Sequence, residues 1–250
     1  MLEADWLLLR GLAREAAHWG DFPEQLRVRF PGVAVHTLDL PGAGDYYADK
    51  SPASLTGIMR QVREEGRRLN LSAPPRLLAL SLGGMVAWEW MLNYPDEISG
   101  AVLINTSLPS VSPFYRRLRW QSYARLAAII AEDDVYRREL AIIRLVCNRR
   151  DLDSELAAKW HEIQCVRPVN HANLFRQLKA AASYRPSDSV PRQPVLLLNS
   201  LGDRLVSPLC SRRIAERYGF FLKTHPWAGH DLVIDDSEWL LNQLKIWAVP

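Results

Sequence analysis

Short apolar runs recur along the chain, separated by stretches whose apolar residues fall at helical spacing. Trp6–Leu9, Val33–Leu38, Arg76–Leu80 and Ala101–Ile104 read as strands, and Phe22–Arg29, Ser54–Leu71 and Gly83–Asn93 read as the helices among them. The last of these, GGMVAWEWMLN, is apolar nearly all round, as a buried helix is, and Pro95 marks its end. Strand signals resume at Val195–Leu198 and Phe220–Thr224, each followed by a helical stretch. Such alternation builds βαβ units and predicts an α/β fold: a parallel sheet of about six strands with helices on both faces.

Between Thr106 and Pro194 the strand signals stop. RRLRWQSYARLAAIIAEDD, VYRRELAIIRLVC, SELAAKWHEI and NHANLFRQLKAAASY all space apolar residues helically. Residues 106–194 are therefore predicted to be a helical cap, inserted into a core made of residues 1–105 and 195–250. Its expected place is over the carboxyl edge of the sheet, where open α/β sheets bind ligands. No repeat, low-complexity tract or flexible linker interrupts this organisation.

A chain of 250 residues that is 48% hydrophobic can bury one sizeable core with such an insertion. Cys147, Cys165 and Cys210 are odd in number and form no CxxC pair, which favours a reducing compartment. Glu3 and Asp5 precede an apolar run, Trp6–Leu9, too short for a signal core or a membrane span. The expectation is a cytoplasmic protein that does not span a membrane. Neither a metal-ligand cluster nor a phosphate-cradling glycine motif occurs, so no metal or cofactor is implied.

The net charge of +3 hides an asymmetry: Thr106–Arg192 holds 15 Lys and Arg against 9 Asp and Glu. Paired arginines at Arg116–Arg117, Arg137–Arg138 and Arg149–Arg150 can hold carboxylates or phosphates, and a basic face steers anionic substrates or an acidic carrier protein. The plainer reading is a solvated, arginine-rich helix surface. No interleaved aromatics point to nucleic acid, and the pattern is silent on oligomeric state.

The strand Arg76–Leu80 runs into Ser81-Leu82-Gly83-Gly84 and then a helix, the context of a nucleophile elbow. The usual pattern is G-x-S-x-G, and Ala79 stands here where the first glycine is expected. Taken alone, Ser81 reads as a helix cap, Asp203 as a turn former beside Gly202, and His230 as a loop residue. Together they fall after successive predicted strands in the order Ser, Asp, His, and on that constellation the chain resembles the α/β-hydrolase family.

The loops Asn199-Ser200-Leu201-Gly202-Asp203 and Trp227-Ala228-Gly229-His230 resemble the family's acid and histidine loops. Trp19 and the turn Asp39-Leu40-Pro41-Gly42-Ala43-Gly44 also match it, in structural roles. The resemblance implies a six-stranded version of that fold, a Ser81–Asp203–His230 triad, and an oxyanion hole from the backbone N–H groups of Leu12 and Leu82.

Arg10 stands where most relatives have histidine, and is expected to add positive charge near the mouth of the site. Asp231, Asp235 and Asp236 are expected to lead into the last helix. His18, His36, His161 and His171 lack a matched acid and nucleophile, and His225 begins the histidine loop but lies too early for the family's Ala-Gly-His pattern. The implied activity is hydrolysis of a carboxylic ester on a small acyl substrate, as in the methyl esterases acting on acyl-carrier-protein esters. A lactonase, a carbon–carbon bond hydrolase, a cofactor-free perhydrolase or lyase, and a non-catalytic binding protein are the alternatives on one fold.

Overall fold

Six parallel strands form one sheet in the order β2–β1–β3–β4–β5–β6: β1 Trp6–Leu9, β2 Val35–Leu38, β3 Arg76–Leu80, β4 Gly100–Ile104, β5 Val195–Ser200 and β6 Phe221–His225. This computed structural model describes residues 4–248, so Glu3 lies outside the described residues. Alternate residues of β1 face opposite sides: Leu7 and Leu9 join one apolar cluster, Trp6 and Leu8 another. Both faces are thus buried, which explains why the strands read as continuous apolar runs.

The chain leaves β1 through α1 (Phe22–Arg29) toward β2, then doubles back through α2 (Leu55–Arg68) to β3 on the other side of β1. With right-handed crossovers this reversal puts α1 and α2 on opposite faces, and opens a crevice between the carboxyl ends of β1 and β3. The helix α3 (Leu82–Asn93) packs beside α2, with every residue from Leu82 to Met91 buried. Val33 lies outside β2, β5 runs two residues beyond its predicted end, and β6 is shifted by one. Ser54 caps α2 by accepting the Gly57 N–H, so it precedes the helix instead of belonging to it.

Between β4 and β5 lie α4 (Phe114–Arg117), α5 (Tyr123–Ala131), α6 (Val135–Val146), α7 (Asp153–Val166) and α8 (His171–Ser183). The arginine-rich stretch expected to be one helix is broken at Leu118–Arg119, where both residues are extended. Arg119 N–H bonds the Leu205 carbonyl there, and a backbone partner outside the helix competes with continuation of the helical ladder. Ile143, Ala157 and Trp160 of α6 and α7 form a separate apolar cluster. After β5 come α9 (Leu209–Tyr218), and after β6 a single turn, α10 (Leu232–Asp235), and α11 (Ser237–Ala248). Among the described residues no helix is long and apolar enough to cross a membrane.

Candidate active site

β3 ends at Leu80 and α3 begins at Leu82, so Ser81 alone turns the chain from strand to helix. Its backbone, φ 57° and ψ −115°, is sparsely populated for a residue with a Cβ, a cost of about 1–3 kcal/mol. Hydrogen bonds at both its N–H and its carbonyl hold it there. Ser81 N–H donates to the Ile104 carbonyl at 2.8 Å, while the Thr106 hydroxyl (2.8 Å) and the Gly84 N–H (3.0 Å) donate to the Ser81 carbonyl.

The small neighbours make the turn possible. A Cβ on Gly83 would stand 2.6 Å from the carbonyl oxygens of Leu9 and Arg10, and one on Gly84 2.7 Å from Thr106. The crowding follows the serine, whereas Ala79 before it sits within the apolar core. That is why its methyl group is accommodated.

Asp203 lies just past β5 and His230 past β6. His230 Nδ1 is 2.7 Å from Asp203 Oδ2, and both side chains are buried. The other carboxylate oxygen accepts the N–H groups of Leu205 (2.7 Å) and Val206 (2.9 Å), which fixes the plane of the carboxylate. Nδ1 is thereby committed to the acid, and Nε2 is the nitrogen available to a reacting group.

Ser81, His230, Leu12 and Leu82 line one cavity of about 540 Å³, closed over by residues of α4 to α8. Leu80, Leu118, Leu126, Ile130, Ile142, and Leu178 make most of its wall apolar. Ser81 Oγ has no hydrogen bond to His230 in this arrangement, and catalytic contacts in ligand-free sites are commonly long. Leu82 is the first residue of α3, so its N–H has no partner within the helix. Leu12 N–H has no hydrogen-bond acceptor among the described residues. A Cβ on Gly11 would come within 3.1 Å of Ser81 Cβ, so the backbone of this loop passes directly beside the serine.

Residues 6–243 match the alpha/beta hydrolase family. The chain belongs to that family. Two pimeloyl-[acyl-carrier protein] methyl ester esterases are similar in part: that of Edwardsiella ictaluri is 35% identical over 105 residues, 41% of this chain and 36% of the relative. That of Chromobacterium violaceum is 30% identical over 103 residues, 41% of this chain and 37% of the relative. The matched stretches thus span little more than a third of these relatives' length. Esterase RhEst1 from Rhodococcus sp. superposes with a TM-score of 0.77 at 16% identity, covering 98% of this chain and 90% of its own. The RedJ thioesterase of Streptomyces coelicolor gives 0.69 at 16%, covering 98% and 85%. At such identities the likeness is one of fold.

Several polar residues of this alpha/beta hydrolase sit elsewhere than the sequence suggests. Arg10 adds no free charge at the mouth: it is buried, forks onto Asp231 at 2.5 and 3.3 Å, and stacks 4.9 Å from the centre of the Trp19 ring. Asp231 is therefore a counter-ion as well as the residue before α10. Asp235 accepts the N–H groups of Gly229 (2.6 Å), Asn148 (2.8 Å) and Arg149 (2.9 Å), and Asp236 caps α11 through Trp239 N–H. Burial raises the Asp235 carboxyl above the usual carboxylate range, and these bonds oppose that rise.

His225 closes its own turn by accepting the Ala228 N–H and faces Asp236 at 3.1 Å. His18 is buried edge-on to Trp160, and burial together with neighbouring Arg14 keeps it neutral, well below the usual histidine range. His36 is half-buried, His161 faces Cys165 at 3.4 Å, and His171 is an exposed residue at the cavity rim. The arginine pairs divide: Arg149 and Arg150 face Asp151 and Asp153, whereas Arg117 is buried.

Sequence reasoning missed Asn105. It takes a left-handed φ of 46° at the end of β4, and its side chain donates to the His230 carbonyl (2.8 Å) and accepts the Ser200 N–H (2.9 Å). One side chain thus ties the acid and histidine loops to the strand beside the serine. An asparagine closing an apolar strand was the available signal, since asparagine tolerates the left-handed region. Asn148 does a similar task from the loop after α6, donating to the carbonyl oxygens of Trp227 and Gly202.

Proposed function

We propose that this protein is a serine hydrolase of carboxylic esters, with Ser81 as nucleophile, His230 as base and Asp203 as the acid that orients it. The observation that carries the reading is the 2.7 Å Asp203–His230 pair whose histidine shares one cavity with a serine held in a strained strand-to-helix turn. His230 Nε2 takes the Ser81 proton as Oγ attacks the acyl carbon, then protonates the departing alcohol. The Leu12 and Leu82 N–H groups stabilise the oxyanion, and water releases the acid by the same steps. No step needs a cofactor. The helices over the cavity act as a cap, residues 106–194, whose leucines and isoleucines receive the acyl chain.

A fluorophosphonate probe is expected to label Ser81 alone, and p-nitrophenyl esters are expected to turn over best at chain lengths that fill the apolar cavity. Failure to label a folded protein would favour a binding protein on this fold. Labelling without turnover of any ester or lactone would favour another reaction on the same three residues.

The partial relatives are named for an ester borne on an acyl-carrier protein, and an acidic carrier is the partner proposed here. Arg125, Arg137, Arg144 and Arg150 line an open cleft on the outer side of α5 and α6, although Arg144 and Arg150 also face Asp153. Surface attraction of this kind raises the encounter rate and is screened, the Debye length falling from about 30 Å at 0.01 M salt to about 8 Å at 0.15 M. kcat/KM for a carrier-linked ester is expected to fall across that range, and to show a weaker salt dependence when Arg125 and Arg137 are changed to Ser. Equal salt dependence for a neutral small ester would dismiss the carrier.

A further inference from the structure

The cavity wall holds several charged groups, and all but one have a visible counter-charge or access to water. Arg10 is paired with Asp231, Arg14 with Glu139 at 3.0 Å, and His230 with Asp203. Arg138 is half-buried with its guanidinium toward the Glu132 carbonyl, and His171 is exposed. Arg117 differs. It is 8% exposed, no carboxylate lies within 4 Å of its guanidinium among the described residues, and its Nε is buried without a hydrogen-bond partner. Its polar contact is Nη2–H to the Ala181 carbonyl at 2.7 Å, with Met85 Sδ at 3.7 Å.

A structural role explains only part of this. Tying α4 to the Ala181 carbonyl needs a donor, which a neutral amide supplies without the cost of burying an unpaired charge. Burial indeed holds this guanidinium below the usual arginine range, with no neighbouring carboxylate among the causes. The location is more informative. Met85, which the guanidinium touches, is the fourth residue after Ser81 and also lines the cavity, so the nucleophile and the residue beside the cation stand about one helical turn apart on the same wall.

We infer that Arg117 is a specificity residue that binds a carboxylate at the far end of the acyl chain, so that among small esters, which carry no protein at that end, the preferred substrate is a monoester of a short dicarboxylic acid. A planar guanidinium and a planar carboxylate match in geometry, and one charge neutralises the other. A phosphate dianion would leave one negative charge unneutralised beside Arg117. The inference rests on the proposed hydrolysis at Ser81 for the direction in which the substrate lies, with its ester at Ser81 and its anion beyond Met85.

The test is binding, which reports on Arg117 whether or not turnover occurs. Calorimetric titration of the full chain carrying Ser81→Ala compares monomethyl glutarate with methyl 5-amino-5-oxopentanoate, its uncharged amide isostere. The carboxylate is expected to bind about tenfold or more tightly, as a charge-assisted bond replaces a neutral one. With Arg117→Gln added, the ratio of the two affinities is expected to fall to about one, and with Arg117→Lys to an intermediate value. Equal affinities in the Ser81→Ala protein, no binding of either compound, or a preference that survives Arg117→Gln would each overturn the inference. The comparison in the Ser81→Ala protein decides the matter even where Arg117→Gln does not fold. Failure of the hydrolase reading shows separately, as absent labelling and absent turnover in the wild-type protein.

Discussion

Ser81→Ala is expected to remove ester turnover, with kcat falling by a factor on the order of 10³ to 10⁶. Ser107 also lines the cavity, but it lacks the turn that presents Ser81 between β3 and α3. The fold is expected to survive. Alanine keeps the Cβ that already occupies this strained backbone, and the bonds from Thr106 and Gly84 go to the Ser81 carbonyl, not to the hydroxyl. Kinetics on an activated ester, with circular dichroism and a thermal melt as controls, check both halves. A folded variant retaining most of its activity removes Ser81 as nucleophile.

Asp203→Asn is the next largest expected loss, on the order of 10⁴-fold in kcat. The reason lies in how the carboxylate is held. Its Oδ1 takes two backbone N–H groups, so an asparagine settles with its carbonyl oxygen there and its amide NH₂ toward His230 Nδ1. Nδ1 must then accept a hydrogen bond, which puts the ring proton on Nε2 and leaves no base facing the serine. A pre-steady-state assay on the same ester is expected to show acylation itself slowed. Activity within tenfold of wild type in Asp203→Asn would make Asp203 a loop anchor and no more.

The strands were legible because both faces of the sheet are covered, so runs such as Leu7–Leu9 and Val195–Leu198 announce themselves without regard to anything distant. The positions of Ser81, Asp203 and His230 were legible for the same reason, each lying just beyond a strand end. What local pattern cannot show is which charges meet. Arg10 and Asp231 are 221 residues apart in sequence, and the site charge expected of Arg10 vanishes only when the fold joins them. Arg117 reads as half of a surface pair because it adjoins Arg116 in sequence, but only Arg116 is half-exposed, and Arg117 is buried where it reaches the Ala181 carbonyl of α8. The break at Leu118–Arg119 likewise depends on Leu205, a partner far along the chain.

The carboxyl end of α6 bears on how substrate gets in. Val146 carbonyl accepts the Asp231 N–H at 2.9 Å, Asp235 holds the Asn148 and Arg149 N–H groups, and Arg204 donates to the Cys147 and Arg144 carbonyls and to Asn148. Swinging the helices away as a rigid door at this edge would tear apart the loops on either side of Asp203 and His230. Phe114 and Tyr123 line the cavity while half open to solvent, so the other edge is the one at which substrate is expected to enter. Phe114 at the start of α4 and Tyr123 at the start of α5 thus frame a candidate doorway, away from the edge that is tied to the loops of Asp203 and His230. Narrowing or widening that doorway would tune access without loosening the catalytic loops.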